Sequence, residues 1–366
     1  MMLLYGRSFV FAMWGLSPEI MKGTAMCMDG NGRRQPGLIT ALAILIVLAG
    51  ALSSRTMVQA GQSTGQPGGP QLVWIDTDIG DDIDDAFALG LILRSPELHV
   101  LGISTAFGDT ETRARLVDRF LAAASESAIP VTAGVHTQTD NVMTQRAYAE
   151  RFPAHPHPDG VQALLEEIKR HPGQVTLIAI GPLFNLGAAI DRDPETFRKV
   201  HRVVMMGGSV ERGYGLAADG SPRPPEPEWN IDRDPKDAAK LFAAGVPIFM
   251  LPLDSTQIHL QTKAREQIFG AGNSITDQLT QLYHQWVANT PNHTPTPTLF
   301  DPVAAAFTFR PELCPMTPMR IEVDEKGLTS KVQGQPNAEV CLKSDERAFL
   351  SLLAGRLEQS GQRSTR

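Results

Sequence analysis

The chain has 366 residues, 42% of them apolar and 20% charged, which suits one large domain or two modest ones with a sizeable core. Its formal net charge is -7; the first 60 residues hold five Lys/Arg and two Asp/Glu, leaving 28 basic and 38 acidic side chains, net -10, in the body. An acidic body with no basic stripe excludes nucleic acid as the expected partner.

In chain order, the first feature is the segment RRQPGLITALAILIVLAGALSSRTMVQA at residues 33–60. It has a basic start at Arg33 and Arg34, an apolar stretch from Leu38 to Leu52 and small residues near Val58 and Ala60. That is the pattern of a secretory signal peptide, and the stretch is short for a membrane span. Residues 1–60 are therefore read as an upstream segment and signal peptide, with Met26 or Met28 as a candidate start. An uncleaved anchor is the alternative. The mature protein is expected to be exported, periplasmic or secreted, with no membrane contact after signal removal. A Gly/Ser/Gln/Pro linker follows at residues 61–70, and then one folded domain over 71–360. Cys27 would leave with the signal. For Cys314 and Cys341 two readings stand: a disulfide in an oxidising compartment, or two buried thiols at element ends.

The linker leads into the apolar run LVWI and then DTDIGDDIDDA, six aspartates in eleven positions from Asp76. An Asp/Gly turn between strand and helix explains one or two of the six. Carboxylates this dense repel one another unless a cation or a shared proton neutralises them. Hard oxygen donors with no Cys or His beside them favour calcium or magnesium. An EF-hand starting at Asp76 needs Glu at its twelfth position, which is Phe87, so that motif fails. An aspartyl-phosphate motif is weakened by Gly80, where Thr or Val is expected.

Strand-like runs then recur as LHVLGISTA, IPVTAG, VTLIAIG, RVVMMGG and VPIFMLPLD, separated by amphipathic stretches such as RARLVDRFLAAASES and DGVQALLEEIKRHP. The alternation predicts an α/β fold, a single domain with a mostly parallel open sheet flanked by helices. Ligands in such sheets sit beyond the carboxyl ends of the strands, where the aspartate run, IGPLFN and MMGGS all fall. The Gly/Pro-rich segment of residues 213–239 is a long loop of the functional kind, with Glu228, Trp229 and Asn230 as an ordered binding stretch or Trp229 as its anchor. Later, Asp301 and Pro302 open a helix; Asp301 reads as an N-terminal cap, which is compatible with a ligand role.

Taken together, WIDTDIGDDIDDAFAL, IPVTAGV, TLIAIGPLFNLGAAI, RVVMMGGS, EPEWNIDRDPKDAAKLF, FDPVAAAF and MRIEVDEKG resemble, in this order, the calcium-dependent nucleoside hydrolases of the inosine-uridine preferring type. The resemblance implies the nucleoside hydrolase fold with its Rossmann-like core and hydrolysis of the N-glycosidic bond of a ribonucleoside to base and ribose, serving nucleoside salvage. It also implies one calcium ion held by Asp78, Asp85, the backbone carbonyl of Ile180 and Asp301, with Asp76 in support. Asp78 would be the general base toward a calcium-bound water, in an oxocarbenium-like transition state. Asp84 would meet the ribose 2'-hydroxyl, Glu228 and Asn230 the other hydroxyls, and Met206 the sugar. Family members are commonly homodimers or homotetramers.

Three departures accompany the resemblance. The opening motif is two residues longer, with Ile79 in place of Pro, so Asp81 or Asp82 competes with Asp84 for its role. Asp109 stands where the family has a ribose-contacting Asn, and reads equally as a helix cap. Phe300 stands where purine-capable members place a His that protonates the leaving base, and His284, His293 and Trp286 receive no role. Two alternatives follow: a hydrolase of another ribosyl compound with a different aglycone, and a non-catalytic calcium-dependent sugar-binding protein. Retention of Asp78 beside a full metal set favours catalysis.

Overall fold

A computed structural model describes residues 69–290 and 295–359. The signal-peptide segment, most of the linker and His293 lie outside the described residues. The six predicted strand runs form β1 (Gln71–Thr77), β2 (Leu98–Thr105), β3 (Val131–Ala133), β4 (Thr176–Ile180), β5 (Arg202–Met206) and β6 (Ile248–Leu251). They pair in parallel in the order β3-β2-β1-β4-β5-β6. Chain order therefore reverses between β1 and β4, which opens a crevice at their carboxyl ends.

Strands sandwiched between two layers of helices read as nearly unbroken apolar runs, because both faces of the pleat are buried. Val73, Ile75, Ile178, Ile180, Val204 and Met206 point into one cluster, while Trp74, Leu177, Ala179, Val203 and Met205 point into the other. The first cluster is closed by α1 (Asp84–Leu93), α2 (Thr110–Ala124), α6 (Ser274–Asn289), α7 (Phe300–Phe309) and α8 (Glu346–Leu357); the second by α3 (Gly160–Arg170), α4 (Phe184–Arg192) and α5 (Pro235–Ala243). Each helix has a local cause. In α3, Asp159 accepts the N–H groups of Val161 and Gln162 as N-cap, and Val161, Leu164, Leu165 and Ile168 make the buried stripe.

Helix α7 departs from expectation at its start. Its N-cap is Leu299, with no side-chain cap, and Asp301 lies inside the first turn rather than capping it. From Asp301 to Phe309 every residue of α7 is buried, so this helix runs through the core beneath β4 and β5. The strand pattern beyond β6 continues the sheet: β9 (Ala338–Cys341) adds parallel to β6, β7 (Met316–Val323) antiparallel to β9, and β8 (Thr329–Val332) antiparallel to β7. Cys314 and Cys341 are joined as a disulfide across a separation of 27 residues, with Cα atoms 5.8 Å apart, so of the two readings the paired one holds in this structure. Among the described residues no helix is long and apolar enough to cross a membrane.

Candidate active site

The chain leaves β1 at Thr77 and must turn through the aspartate loop before α1 begins. Gly80 makes the turn at φ 123°, a conformation that a Cβ would strain, and that Cβ would also meet Met143 Cε at 2.5 Å. The loop's backbone carbonyls are satisfied from outside it. Arg113, buried on α2, donates to the carbonyl of Asp78, to that of Ile79 at 3.1 Å and to the Asp81 carboxylate at 2.8 Å. Thr144 donates to the carbonyl of Asp81 and Gln145 to that of Asp82, each at 2.6 Å. A buried guanidinium with five donors suits this cluster of oxygens.

Asp84 and Asp85 open α1, where the helix N-terminus favours negative charge. Asp84 accepts the backbone N–H of Asp301 at 3.1 Å, so it serves the start of α7 from 217 residues away. Asp85 accepts the Thr77 hydroxyl. Asp84, Asp85 and Asp301 are all buried and each presents an oxygen within 4.8 Å of the others, a group able to hold a metal ion. Burial first, and repulsion from neighbouring aspartates second (Asp82 on Asp84, Asp78 on Asp85, Asp84 on Asp301), push all three carboxyls well above the ordinary range. That set, without a cation, is electrostatically costly; three hard oxygen donors fit a cation such as calcium or magnesium.

Asp78 faces the same space. Burial raises its carboxyl to about 7, with Asp81 adding to the rise and Arg113 and the Trp229 indole opposing it. The indole N–H of Trp229 donates to Asp78 Oδ2 at 3.3 Å. Asp82 is lifted to about 6, chiefly by burial. Opposite the aspartates, Glu228 caps the one-turn helix Trp229–Asp232 by accepting the N–H groups of Asn230 and Ile231, and it also accepts that of Gly208 at 2.8 Å. Burial nevertheless carries Glu228 to about 7. Asn230 donates to the Met206 carbonyl at 3.1 Å, which ties the long loop to the end of β5.

These side chains line a cavity of about 620 Å³ at the carboxyl ends of β1, β4 and β5, a volume ordinary for a small-molecule site. Asp78, Asp84, Asp85, Ile180, Met206, Glu228, Asn230 and Asp301 are all in its wall. Asp81 and Asp82, the competitors for Asp84's role, are there too, but Asp81 is engaged by Arg113. The upper wall is aromatic and polar, with Tyr214, Trp229, Trp286 and Phe300 beside Asn289 and Thr290. Tyr214 packs edge-on to Phe300, their centroids 6.1 Å apart, and its hydroxyl accepts the Trp229 backbone N–H at 2.9 Å. Among the described residues no histidine lines this cavity.

Residues 73–351 match the family described as inosine-uridine preferring nucleoside hydrolase. The chain belongs to that family. A pyrimidine-specific ribonucleoside hydrolase, RihA, of Citrobacter koseri is 30% identical over 321 residues, covering 78% of this chain and 97% of the relative. Among solved structures, the plant nucleoside hydrolase PpNRh1 is 26% identical with a TM-score of 0.66, covering 79% of this chain and 99% of that one. A purine-preferring ribonucleoside hydrolase from Gardnerella vaginalis shares the fold at a TM-score of 0.67 and 22% identity, covering 79% of this chain and 98% of its own.

In this nucleoside hydrolase Asp109 and Asp76 sit differently from the sequence expectation. Asp109 is outside the cavity wall: it caps α2 by accepting the N–H and hydroxyl of Thr112, and pairs with Arg146 at 3.0 Å. Burial, the largest single influence, raises its carboxyl, but these hydrogen bonds and Arg146 together outweigh it and hold it below the usual value. Asp84, expected at the ribose, lines the cavity as Asp78 does, and its carboxylate also stands with those of Asp85 and Asp301. Asp76, expected in support, faces the other side of the sheet, bonded to Ser104 and to Asn185. Sequence reasoning missed Arg113. The signal was present: in RARLVDRF it occupies the apolar register with Leu116, Val117 and Phe120.

Proposed function

We propose that the protein hydrolyses the N-glycosidic bond of ribonucleosides, releasing base and ribose, with calcium as its metal ion and Asp78 as its general base. The observation that carries this reading is the buried triad of Asp84, Asp85 and Asp301 at one end of a ligand-sized cavity, with Asp78 beside it. Asp78, Asp85, Asp301 and the carbonyl of Ile180 are the proposed calcium ligands, with Asp84 able to serve the ion or the ribose 2'-hydroxyl. The ion, when bound, neutralises the carboxylates and makes a water molecule more acidic. Asp78, kept ionised when the ion is bound, is placed to take a proton from a water in the cavity, and the Trp229 N–H orients its carboxylate by holding Oδ2 at 3.3 Å.

Bond breaking leaves positive charge on the ribose ring. Carboxylates facing the ring favour that charge over the neutral ground state, which is where the rate gain arises. Glu228 and Asn230 orient the remaining ribose hydroxyls, and Met206 packs against the sugar. Tyr214, Trp286 and Phe300 offer aromatic surface to the base. Pyrimidine ribonucleosides are the proposed first substrates, because relatives 30% identical to this chain carry that specificity in their names. A second reading, an aglycone that leaves without protonation, is favoured by the lack of histidine in the described cavity wall.

Export is proposed on the signal-like residues 33–60, and the Cys314–Cys341 pairing agrees with an oxidising compartment. Sequencing the N-terminus of the native protein tests it. A homodimer or homotetramer is proposed on the family resemblance, and light scattering tests it. The activity is tested by ribose release from pyrimidine, purine and nicotinamide nucleosides, comparing wild type with Asp78→Ala, each with calcium and with a chelator. The proposal expects turnover that either change abolishes. A folded, calcium-loaded wild type that frees no ribose from any nucleoside overturns it.

A further inference from the structure

Away from the cavity, the sequence His155-Pro156-His157-Pro158 runs beside α2. Each histidine precedes a proline, which keeps its backbone out of the helical region and limits its freedom. The His157 side chain is only 1% exposed and lies between two carboxylates: Nε2 is 2.8 Å from Asp118 Oδ2, and Nδ1 is 2.6 Å from Glu111 Oε2. His155, 52% exposed, brings its own Nε2 to 3.3 Å from the same Asp118 oxygen. The two imidazole rings are 4.4 Å apart at their centroids. Glu111 and Asp118, seven residues apart on α2, present themselves on one face of the helix. Ligand atoms of Asp118, His155 and His157 all fall within 4.8 Å of one another.

We propose that Asp118, His155 and His157 form a second metal site, for a first-row divalent transition ion such as zinc, with Glu111 positioning His157. Two imidazoles and one carboxylate are the donor set of a borderline ion rather than of calcium, so the two sites sort different metals by ligand type. Glu111 accepts the Nδ1 proton, which fixes the His157 tautomer and turns the Nε2 lone pair toward the site, the arrangement that metal-bound histidines ordinarily have. Exposure of His155 leaves one side of the site open to solvent, room for a water as a fourth ligand. Without an ion, His157 must donate from both nitrogens. Burial opposes its charge, yet hydrogen bonds to Asp118 and Glu111 outweigh burial and raise its pKa. An ion here would clamp the segment before α3 onto α2, the helix whose Arg113 holds the aspartate loop.

The test is calorimetric titration of the full chain with zinc chloride at neutral pH, after stripping and reloading with saturating calcium so that the acidic cluster is occupied. One zinc per chain is expected, with a rise in melting temperature. His155→Ala, a change at an exposed side chain, should abolish both responses while ribose release is retained. Glu111→Gln should weaken zinc binding by about 10–100-fold, as loss of a supporting carboxylate does. Absence of zinc binding to the folded wild type overturns the proposal. So does binding that His155→Ala and Asp118→Asn leave unchanged, because the zinc then sits elsewhere.

Discussion

Freed of divalent ions, the protein should lose stability as the pH rises from 5 to 8. Burial lifts Asp78 from 3.8 to about 7 and Glu228 from 4.5 to about 7, and raises the triad carboxyls well above their ordinary value. In the unfolded chain these groups ionise near their ordinary values of about 4. Across the intervening window the folded, ion-free protein therefore binds more protons than the unfolded chain, and stability falls as pH increases. For Asp78 alone, the roughly two units of that lift that fall between pH 5 and 7 correspond to about 3 kcal/mol. In a domain of this size that is a fall of roughly 6–12 °C in melting temperature. Bound calcium stabilises the ionised carboxylates, so the loaded protein should show a flat or rising profile. His157, whose folded pKa is also raised, likewise loses its contribution as pH climbs above 6.5. The Asp78→Asn variant isolates the site, because it should remove the Asp78 share of the ion-free slope. Calorimetric melting across this range, with and without calcium, measures all three profiles. An ion-free melting temperature that stays level or rises from pH 5 to 7 refutes the reasoning.

At saturating calcium, Asp78→Asn should keep its fold and slow ribose release by about 10²–10⁴-fold, the ordinary contribution of a general base; a rate within a few-fold of wild type removes Asp78 from that role. Trp229→Phe keeps the ring edge against Phe107, 5.8 Å between centroids, but deletes the N–H bonded to Asp78. A hydrogen bond to a charged group contributes about 1.5–3 kcal/mol, so kcat should fall about tenfold or more and the melting temperature by roughly 3–12 °C. Arg113→Met leaves the Asp81 carboxylate with Asn141 alone and strips two loop carbonyls of their donor, and denaturant titration should show a loss of about 3–5 kcal/mol. Replacing Cys314 and Cys341 by Ser opens a 27-residue loop and should cost about 3–4 kcal/mol, read by the same titration under oxidising conditions.

Much of this architecture was legible because parallel strands buried on both faces announce themselves as apolar runs, and all six runs from LVWIDT to VPIFMLPLD became strands. The aspartate run was legible for an electrostatic reason: six like charges at a strand end are hard to explain without a counter-ion. Asp109 was not. A carboxylate just before TETRARL satisfies a cap and a ligand pattern equally, and only the positions of Thr112 and Arg146 separate the two. Asp301 was expected to cap its own helix; instead the Asp84 carboxylate receives its N–H.

The sequence by itself determined the six strands of the parallel sheet, that their ends carry acids, and that acids so dense call for a cation, since hydrophobic period and charge density are local properties of the chain. Tertiary structure decided which acids meet. Asp84 and Asp301 are 217 residues apart and touch only because the reversal of strand order between β1 and β4 brings α1 and α7 together beneath one crevice. The pairing of His157 with Asp118 and Glu111 is of the same kind. No local pattern encodes it, because its distances are set by how a proline-rich segment packs against the side of a helix.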